Sequence, residues 1–244
     1  MSWSLDLEKL RNTVSKKTKI ISVCNPNNPT GSVMTLSDMQ EVVNIASSVG
    51  AYIHSDEVYI GAELSGSLTT SFQALYDKTI VTSGLSKSYS NPGIRIGWLA
   101  AQDDLIEEAW GIKDYTTVAS SVLSQHIASK VLEPETIKRI RERASKFLLE
   151  NLEIFKEWIL PFSNFLFYIP PQAGGFVYVR YNMPMNSTEL IHNLRKQENV
   201  FIVPGDSFGM DGYFRIGLGS NTVTFKKGLN LISEGLKRIF PEYF

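Results

Sequence analysis

The apolar positions along the chain change their period several times. Leu5, Leu7, Leu10 and Val14 open it with roughly helical spacing. The run Lys19-Ile20-Ile21-Ser22-Val23-Cys24 then reads as a strand. Thr35-Leu36-Ser37-Asp38 resembles a capping box with Asp in place of the usual Glu. It predicts a helix to about Val49, closed by Gly50. Ala51-Tyr52-Ile53-His54 is the next strand, and its end carries Asp56, Glu57 and Tyr59. A third strand is expected at Thr79-Ile80-Val81-Thr82, after a small-residue loop over 61–72 that reads as mobile. Strand, loop, helix and strand alternate, the signature of a mostly parallel α/β sheet flanked by helices.

Further along, residues 94–101 read as a strand carrying Arg95, followed by helices over 103–111, 122–132 and 134–158. The last of these mixes acids and bases, which predicts a solvated outer face. From about Lys146 the pattern shifts to strands at 174–179, 200–203 and 213–219, with helices over 188–197 and 222–240. The expected organisation is a large α/β domain over 1–145 and a smaller C-terminal α+β domain over 146–244, bridged by the long helix. No internal repeat or low-complexity segment is visible.

Composition narrows the classes without choosing among them. Hydrophobic residues make up 43% of the 244 and charged residues 20%, enough for a sizeable core in a soluble globular chain. The formal charge of −1 gives no electrostatic case for nucleic acid or an anionic membrane, and no apolar run reaches membrane-spanning length. A single cysteine, Cys24, excludes an internal disulfide and suits a reducing cytoplasm. His54, His126 and His192 are far apart and show no metal spacing. His54 shares a strand face with Asp56 and reads as a packed core residue.

Candidate chemistry gathers at strand ends. Asn28 sits in Cys24-Asn25-Pro26-Asn27-Asn28-Pro29-Thr30-Gly31, a turn-rich loop kept extended by its prolines. Asp56 ends the second strand, and Lys87 lies among small residues in the loop after the third. Ligands of parallel sheets bind beyond the carboxyl ends of strands, so the three converge. A lysine and an arginine at the rim of a sheet suit a ligand with both a carbonyl and a phosphate. The bland alternative is a polar surface loop with two solvated cations.

Four motifs in order, Asn27-Asn28-Pro29-Thr30-Gly31, Asp56-Glu57-Val58-Tyr59, Ser86-Lys87 with Arg95, and Tyr213-Phe214-Arg215-Ile216-Gly217, resemble those of class I/II aminotransferases. These are pyridoxal-phosphate enzymes of fold type I, and the resemblance runs from Trp3 to the C-terminus. It implies pyridoxal 5'-phosphate as cofactor, amino acid and 2-oxo acid as substrates, and a homodimer. Lys87 would form the Schiff base with the cofactor and move the proton. Asp56 would face the pyridine nitrogen, and Asn28 and Tyr59 the phenolic oxygen. Arg95 and Ser86 would hold the phosphate, and Arg215 the substrate α-carboxylate. Many family members carry Ser or Thr three residues before the lysine, where this chain has Gly84. Glu57 should point away from the site.

The resemblance covers the family's C-terminal two-thirds. Its N-terminal part supplies further strands, a Gly-rich phosphate turn and an aromatic stacked on the ring. Without that part an incomplete large domain is expected, with open sheet edges and uncovered apolar surface. The same motifs serve carbon–sulfur lyases and other elimination enzymes of this fold, and a non-catalytic truncated fragment is the third reading.

Overall fold

The computed structural model describes residues 2–244, which form two sheets with helices around each. The first sheet contains β1 (Ile20–Cys24), β2 (Tyr52–Asp56), β3 (Thr79–Gly84) and β4 (Gly97–Ala100), in that spatial order. β1, β2 and β3 run parallel, and β4 pairs antiparallel with β3. Helix α1 (Leu7–Thr13) precedes this sheet, and α2 (Leu36–Val49) crosses from β1 to β2. α2 starts where the pattern predicted: the Thr35 hydroxyl accepts from Asp38 N–H at 3.1 Å and donates to its carboxylate at 2.8 Å. Gly50 closes it in the left-handed region at φ 73°.

α2 covers one face only. Ile21, Ile53 and Phe72 bury themselves against Met39, Val42, Val43 and Ala46. The opposite face carries the register row Cys24–Asp56–Thr82–Leu99 and the row Ser22–His54–Ile80. On that side Ile20 is 53% exposed and Leu99 42%. His54 lies across this open face, with Nδ1 2.8 Å from Ser22 Oγ and Nε2 3.0 Å from Thr82 Oγ1. It is a cross-strand link rather than a packed core residue.

Helices α3 (Asp103–Asp114), α4 (Val122–Val131) and α5 (Pro134–Ile159) lead to the second sheet. That sheet orders β5 (Leu166–Tyr168), β6 (Phe176–Tyr181), β8 (Tyr213–Gly217) and β7 (Val203–Pro204), all antiparallel. Helix α6 (Ser187–Glu198) and the final helix α7 (Thr222–Ile239) complete the unit. β6 is buried on both sides. Val177, Val179 and Tyr181 enter a core with Phe155 of α5, Leu190 and Leu194 of α6, and Leu229 and Ile232 of α7. Phe176 and Tyr178 face the other way, Phe176 toward Tyr59 beyond the end of β2 and Tyr178 toward Trp3.

Two expectations about elements are corrected. Arg95 precedes its strand: a 3₁₀ turn over Pro92–Ile94 places it at φ 54°, and β4 begins only at Gly97. The apolar run 200–203 supplies only Val203 to β7, because Val200 and Ile202 bury side chains without joining a ladder. The loop over 61–72 is tied down, with buried Glu63 accepting from Gly61 N–H at 2.7 Å and Thr69 N–H at 2.9 Å. Glu63 also bridges to Ala173.

Candidate active site

The site lies where the carboxyl ends of β1, β2 and β3 meet the outer face of β6 and β8. Residues 171–174 join the two units. Gln172 and Ala173 donate backbone N–H groups to Gly31 O at 2.8 and 2.9 Å, and Leu64 N–H reaches Gln172 O at 2.9 Å. This stitching brings the Asn-Pro-Thr-Gly loop onto β8, where Arg215 Nη1 donates to Asn28 Oδ1. Arg215 also lies over two aromatic rings, with its Cζ 5.1 Å from the centre of Phe176 and 5.3 Å from that of Phe208. Burial pulls the guanidinium below its ordinary pKa, and Tyr59 nearby opposes the shift. A half-buried arginine held by a neutral amide and two ring faces has no anionic partner among the described residues.

Lys87 is displayed by a loop stapled at its base. Leu85 is fully buried, its N–H bonds to Ile96 O at 3.0 Å, and its carbonyl accepts from Asn91 N–H at 2.9 Å. Ser90 N–H closes the turn on Lys87 O at 3.0 Å. Lys87 is exposed on a cavity of about 720 Å3, and its amine has no hydrogen-bond or ion-pair partner among the described residues. Ser86, Tyr59, Phe176 and Arg215 share that cavity. Gly84 has a steric reason. A Cβ there would lie 3.0 Å from Ile96 O and 3.1 Å from the Cα of its register partner Gly97. β3 and β4 close on each other where a hydroxyl residue would otherwise stand.

Asp56 ends β2 half-buried, its Oδ1 accepting from Val58 N–H at 3.2 Å. It lies beside Cys24 in the register, off the cavity wall. Glu57 turns to the other side, as its place in the strand predicts. It is 5% exposed, and one carboxylate oxygen accepts from Ser55 Oγ, Ser71 Oγ and Phe72 N–H, each at 3.0 Å. Burial pushes the Tyr59 phenol above its ordinary pKa; Arg215 opposes this, while Cys24 and Asp56 add to it. Tyr59 meets Phe176 edge-on at 5.4 Å. The structure therefore gathers Asn28, Tyr59, Ser86, Lys87 and Arg215 in one place. Arg95 is exposed away from the cavity, donating Nη1 to Pro92 O at 2.9 Å.

Arg141 was missed by sequence reasoning, which assigned the charges of α5 to solvent. Its side chain enters the cavity with Ala144, Ser145 and Leu148. The spacing 141, 144, 145, 148 marks one helical face, and that is the signal that was there to be read. Trp3 packs on Tyr178 and Tyr213 of the second sheet, with ring centres 6.1 and 6.0 Å apart, a contact across the whole sequence that no local pattern announces.

Known proteins resemble this chain along nearly its whole length. The family model described as aminotransferase class I and II matches residues 1–232. A curated relative, (5-formylfuran-3-yl)methyl phosphate transaminase of Methanocaldococcus jannaschii, is 29% identical over 95% of this chain and 61% of its own length. A solved PLP-dependent aminotransferase from Streptococcus suis superposes with a TM-score of 0.88 at 39% identity, covering 97% of this chain and 62% of that one. An aromatic aminotransferase from Pyrococcus horikoshii reaches 0.90 at 23% identity, over 99% and 65%, and speaks for the fold alone. The chain thus spans about 60% of the length of the relatives it matches.

Proposed function

Since this chain belongs to the class I and II aminotransferases, a pyridoxal-phosphate family, we propose that it carries the lysine-bearing part of an enzyme moving an amino group between an amino acid and a 2-oxo acid. One observation carries the reading: an unpartnered lysine amine and an arginine held only by a neutral amide and aromatic faces share one cavity. Tyr59, Ser86 and Lys87 line a cavity that suits the family's cofactor, while Asp56 lies off its wall and Arg95 points away. The cavity has the size of a small-molecule site, roughly 300–1,000 Å3. When bound, pyridoxal phosphate supplies an electron sink for the substrate's α-carbon.

Each residue then has a task. The Lys87 amine would hold the cofactor at its aldehyde carbon and would hold or deliver a proton at the substrate's α-carbon. The Asp56 carboxylate would be the acceptor for the pyridine N–H. Tyr59, whose phenol burial pushes above its ordinary pKa, would donate to the phenolic oxygen beside Asn28. Arg215 exchanges its neutral partner for the substrate carboxylate, where a fixed fork of donors gives direction as well as charge. Ser86 stands nearest the phosphate role, and Arg95 takes it only after turning inward from its bond to Pro92.

The finer readings rest on the surface and the composition. The division into 1–145 and 146–244 is supported by a second core that begins at Leu152. A homodimer is supported by exposed Trp110, Tyr115, Val122 and Leu123 on and between α3 and α4, and light scattering at the monomer mass would remove it. The lone Cys24 supports a reducing cytoplasm, and fractionation checks it. Among the described residues, no helix is long and apolar enough to cross a membrane.

The reading is tested by titrating pyridoxal phosphate into the full chain. A visible absorbance band is expected, with borohydride trapping adding cofactor mass at Lys87. Lys87→Ala should show neither. A wild-type chain that stays colourless and unlabelled ends the proposal for this polypeptide.

A further inference from the structure

Arg215 is set by the rings around it, and those rings lead back to Trp3. Its Cζ lies over the rings of Phe176 and Phe208. Phe208 meets Tyr178 edge-on, with ring centres 5.8 Å apart, and Tyr178 is only 1% exposed. Tyr178 in turn stacks on Tyr213 at 4.9 Å, the two planes 13° from parallel. Trp3 packs on both members of that stack, 6.1 Å from the Tyr178 ring and 6.0 Å from the Tyr213 ring.

The backbone that carries Phe208 has little freedom left. Asp206 N–H donates to Ser187 Oγ at 3.0 Å, and the Asp206 carboxylate accepts from Thr188 Oγ1 at 2.6 Å. Met210 N–H closes the turn on Gly205 O at 3.0 Å. What remains is the rotation of the Phe208 ring itself, and Tyr178 limits that. Trp3 is moored from its own side, because Leu5 and Leu7 pack against the core beneath the first sheet. The indole Nε1 is buried with no hydrogen-bond partner, and so is the Tyr178 hydroxyl. A buried donor left unpaired is unfavourable. The indole is therefore kept in place by its ring contacts, for which aromatic pairs have preferred geometries, and not by a polar bond.

We propose that Trp3 is a positioning residue for Arg215. It clamps the Tyr178–Tyr213 stack, Tyr178 fixes the Phe208 ring, and that ring aims the guanidinium fork at an incoming carboxylate. An aromatic side chain moored on the first sheet's core thus governs the direction of a charge on the second sheet. The inference rests on the reading of Arg215 given above, and testing it requires neither turnover nor bound cofactor.

Proton–nitrogen NMR on the full chain reads the arrangement directly, because a guanidinium N–H held over ring faces is shifted upfield by their ring currents. Arg215→Lys identifies the signal by removing it. Trp3→Leu should move the Arg215 Nε–H downfield, and Phe208→Leu should do the same. Combined with Phe208→Leu, the Trp3 change should add almost nothing, since the ring it acts through is gone. Trp3→Phe restores a flat ring and should return the signal toward its wild-type position. Butyrate titration gives the second reading. Trp3→Leu should weaken butyrate about three- to tenfold and Trp3→Phe less than about twofold, while pyridoxal phosphate affinity moves less than about twofold in either. Trp3→Met keeps the bulk without the plane, and it carries the test if the Leu variant melts early by circular dichroism. An unmoved Nε–H signal, full additivity with Phe208→Leu, unchanged butyrate affinity, or equal loss of butyrate and pyridoxal phosphate overturns the proposal and leaves Trp3 a clasp between the two units. A wild type that binds no butyrate removes the Arg215 reading and this inference with it. Failure of the lysine reading is seen separately in the absorbance titration, and the NMR and butyrate results decide this inference even then.

Discussion

The two sheets of this protein are finished to different degrees. The second is closed: β6 is buried on both sides, and α5, α6 and α7 cover the face that holds Val177, Val179 and Phe214. The first is covered by α2 on one face and leaves Ile20, Leu99 and the Cys24–Asp56–Thr82 row on an open one. The catalytic candidates divide along the same line. Arg215 is backed by the closed sheet, whereas Asp56 stands on the open face of the other. The difference teaches that position in the site and structural support for it are separate properties, and that Arg215 has more of the second than Asp56.

The largest test of this contrast compares truncations. Phe214→Ala in the closed core should cost about 3–5 kcal/mol in urea unfolding, whereas Ile20→Ala on the open face should stay within about 0.5 kcal/mol. An Ile20 variant that costs as much as a core one would show that the open face is covered in solution. Next comes Glu57, which accepts three donors at the end of β2. Glu57→Ala leaves those donors without their acceptor and should cost roughly 2–3 kcal/mol, measured by thermal melting. Loss of this anchor should also disorder the β2 end that positions Asp56, which Phe214→Ala should not do.

The smallest effect is at high pH. The Tyr178 hydroxyl is buried without a partner, and burial, with Tyr213 and Asp206 adding, pushes its pKa up to about 12. A folded pKa raised above the unfolded value stabilises fully below about pH 10, and the contribution is lost as pH rises toward 12. Tyr178→Phe should therefore match or slightly exceed wild type in Tm below pH 10 and lose up to about 2.5 kcal/mol less on going alkaline. An alkaline slope unchanged by the substitution would take Tyr178 out of the account.

Much of this architecture was readable from local pattern. The β-branched runs gave β1, β2 and β3 because parallel strands are apolar without long-range help, and Thr35 with Gly50 bounded α2 because caps are local chemistry. Arg95 went astray because its left-handed backbone depends on the Pro92 turn, not on its own residue type. Val200 and Ile202 looked like a strand because they are buried; burial and ladder pairing are different things. Arg141 was hidden by its neighbours, since acids and bases alternate along α5 and only the helical period separates the face that turns inward. The distances between Asn28 and Arg215, or Trp3 and Tyr178, are products of chain crossing that no window of sequence contains.

The stapled loop at Lys87 has a consequence for timing. Leu85 is sealed in place, and the hydrogen bonds from Leu85, Ser90 and Asn91 fix the backbone on either side of the lysine. Whatever the amine does must come from the torsions of its own four-carbon stem. Such rotations occur over picoseconds to nanoseconds, faster than loop rearrangements by orders of magnitude. A base swung on a fixed pivot arrives without waiting for the fold, and the slow step of any turnover must then lie elsewhere.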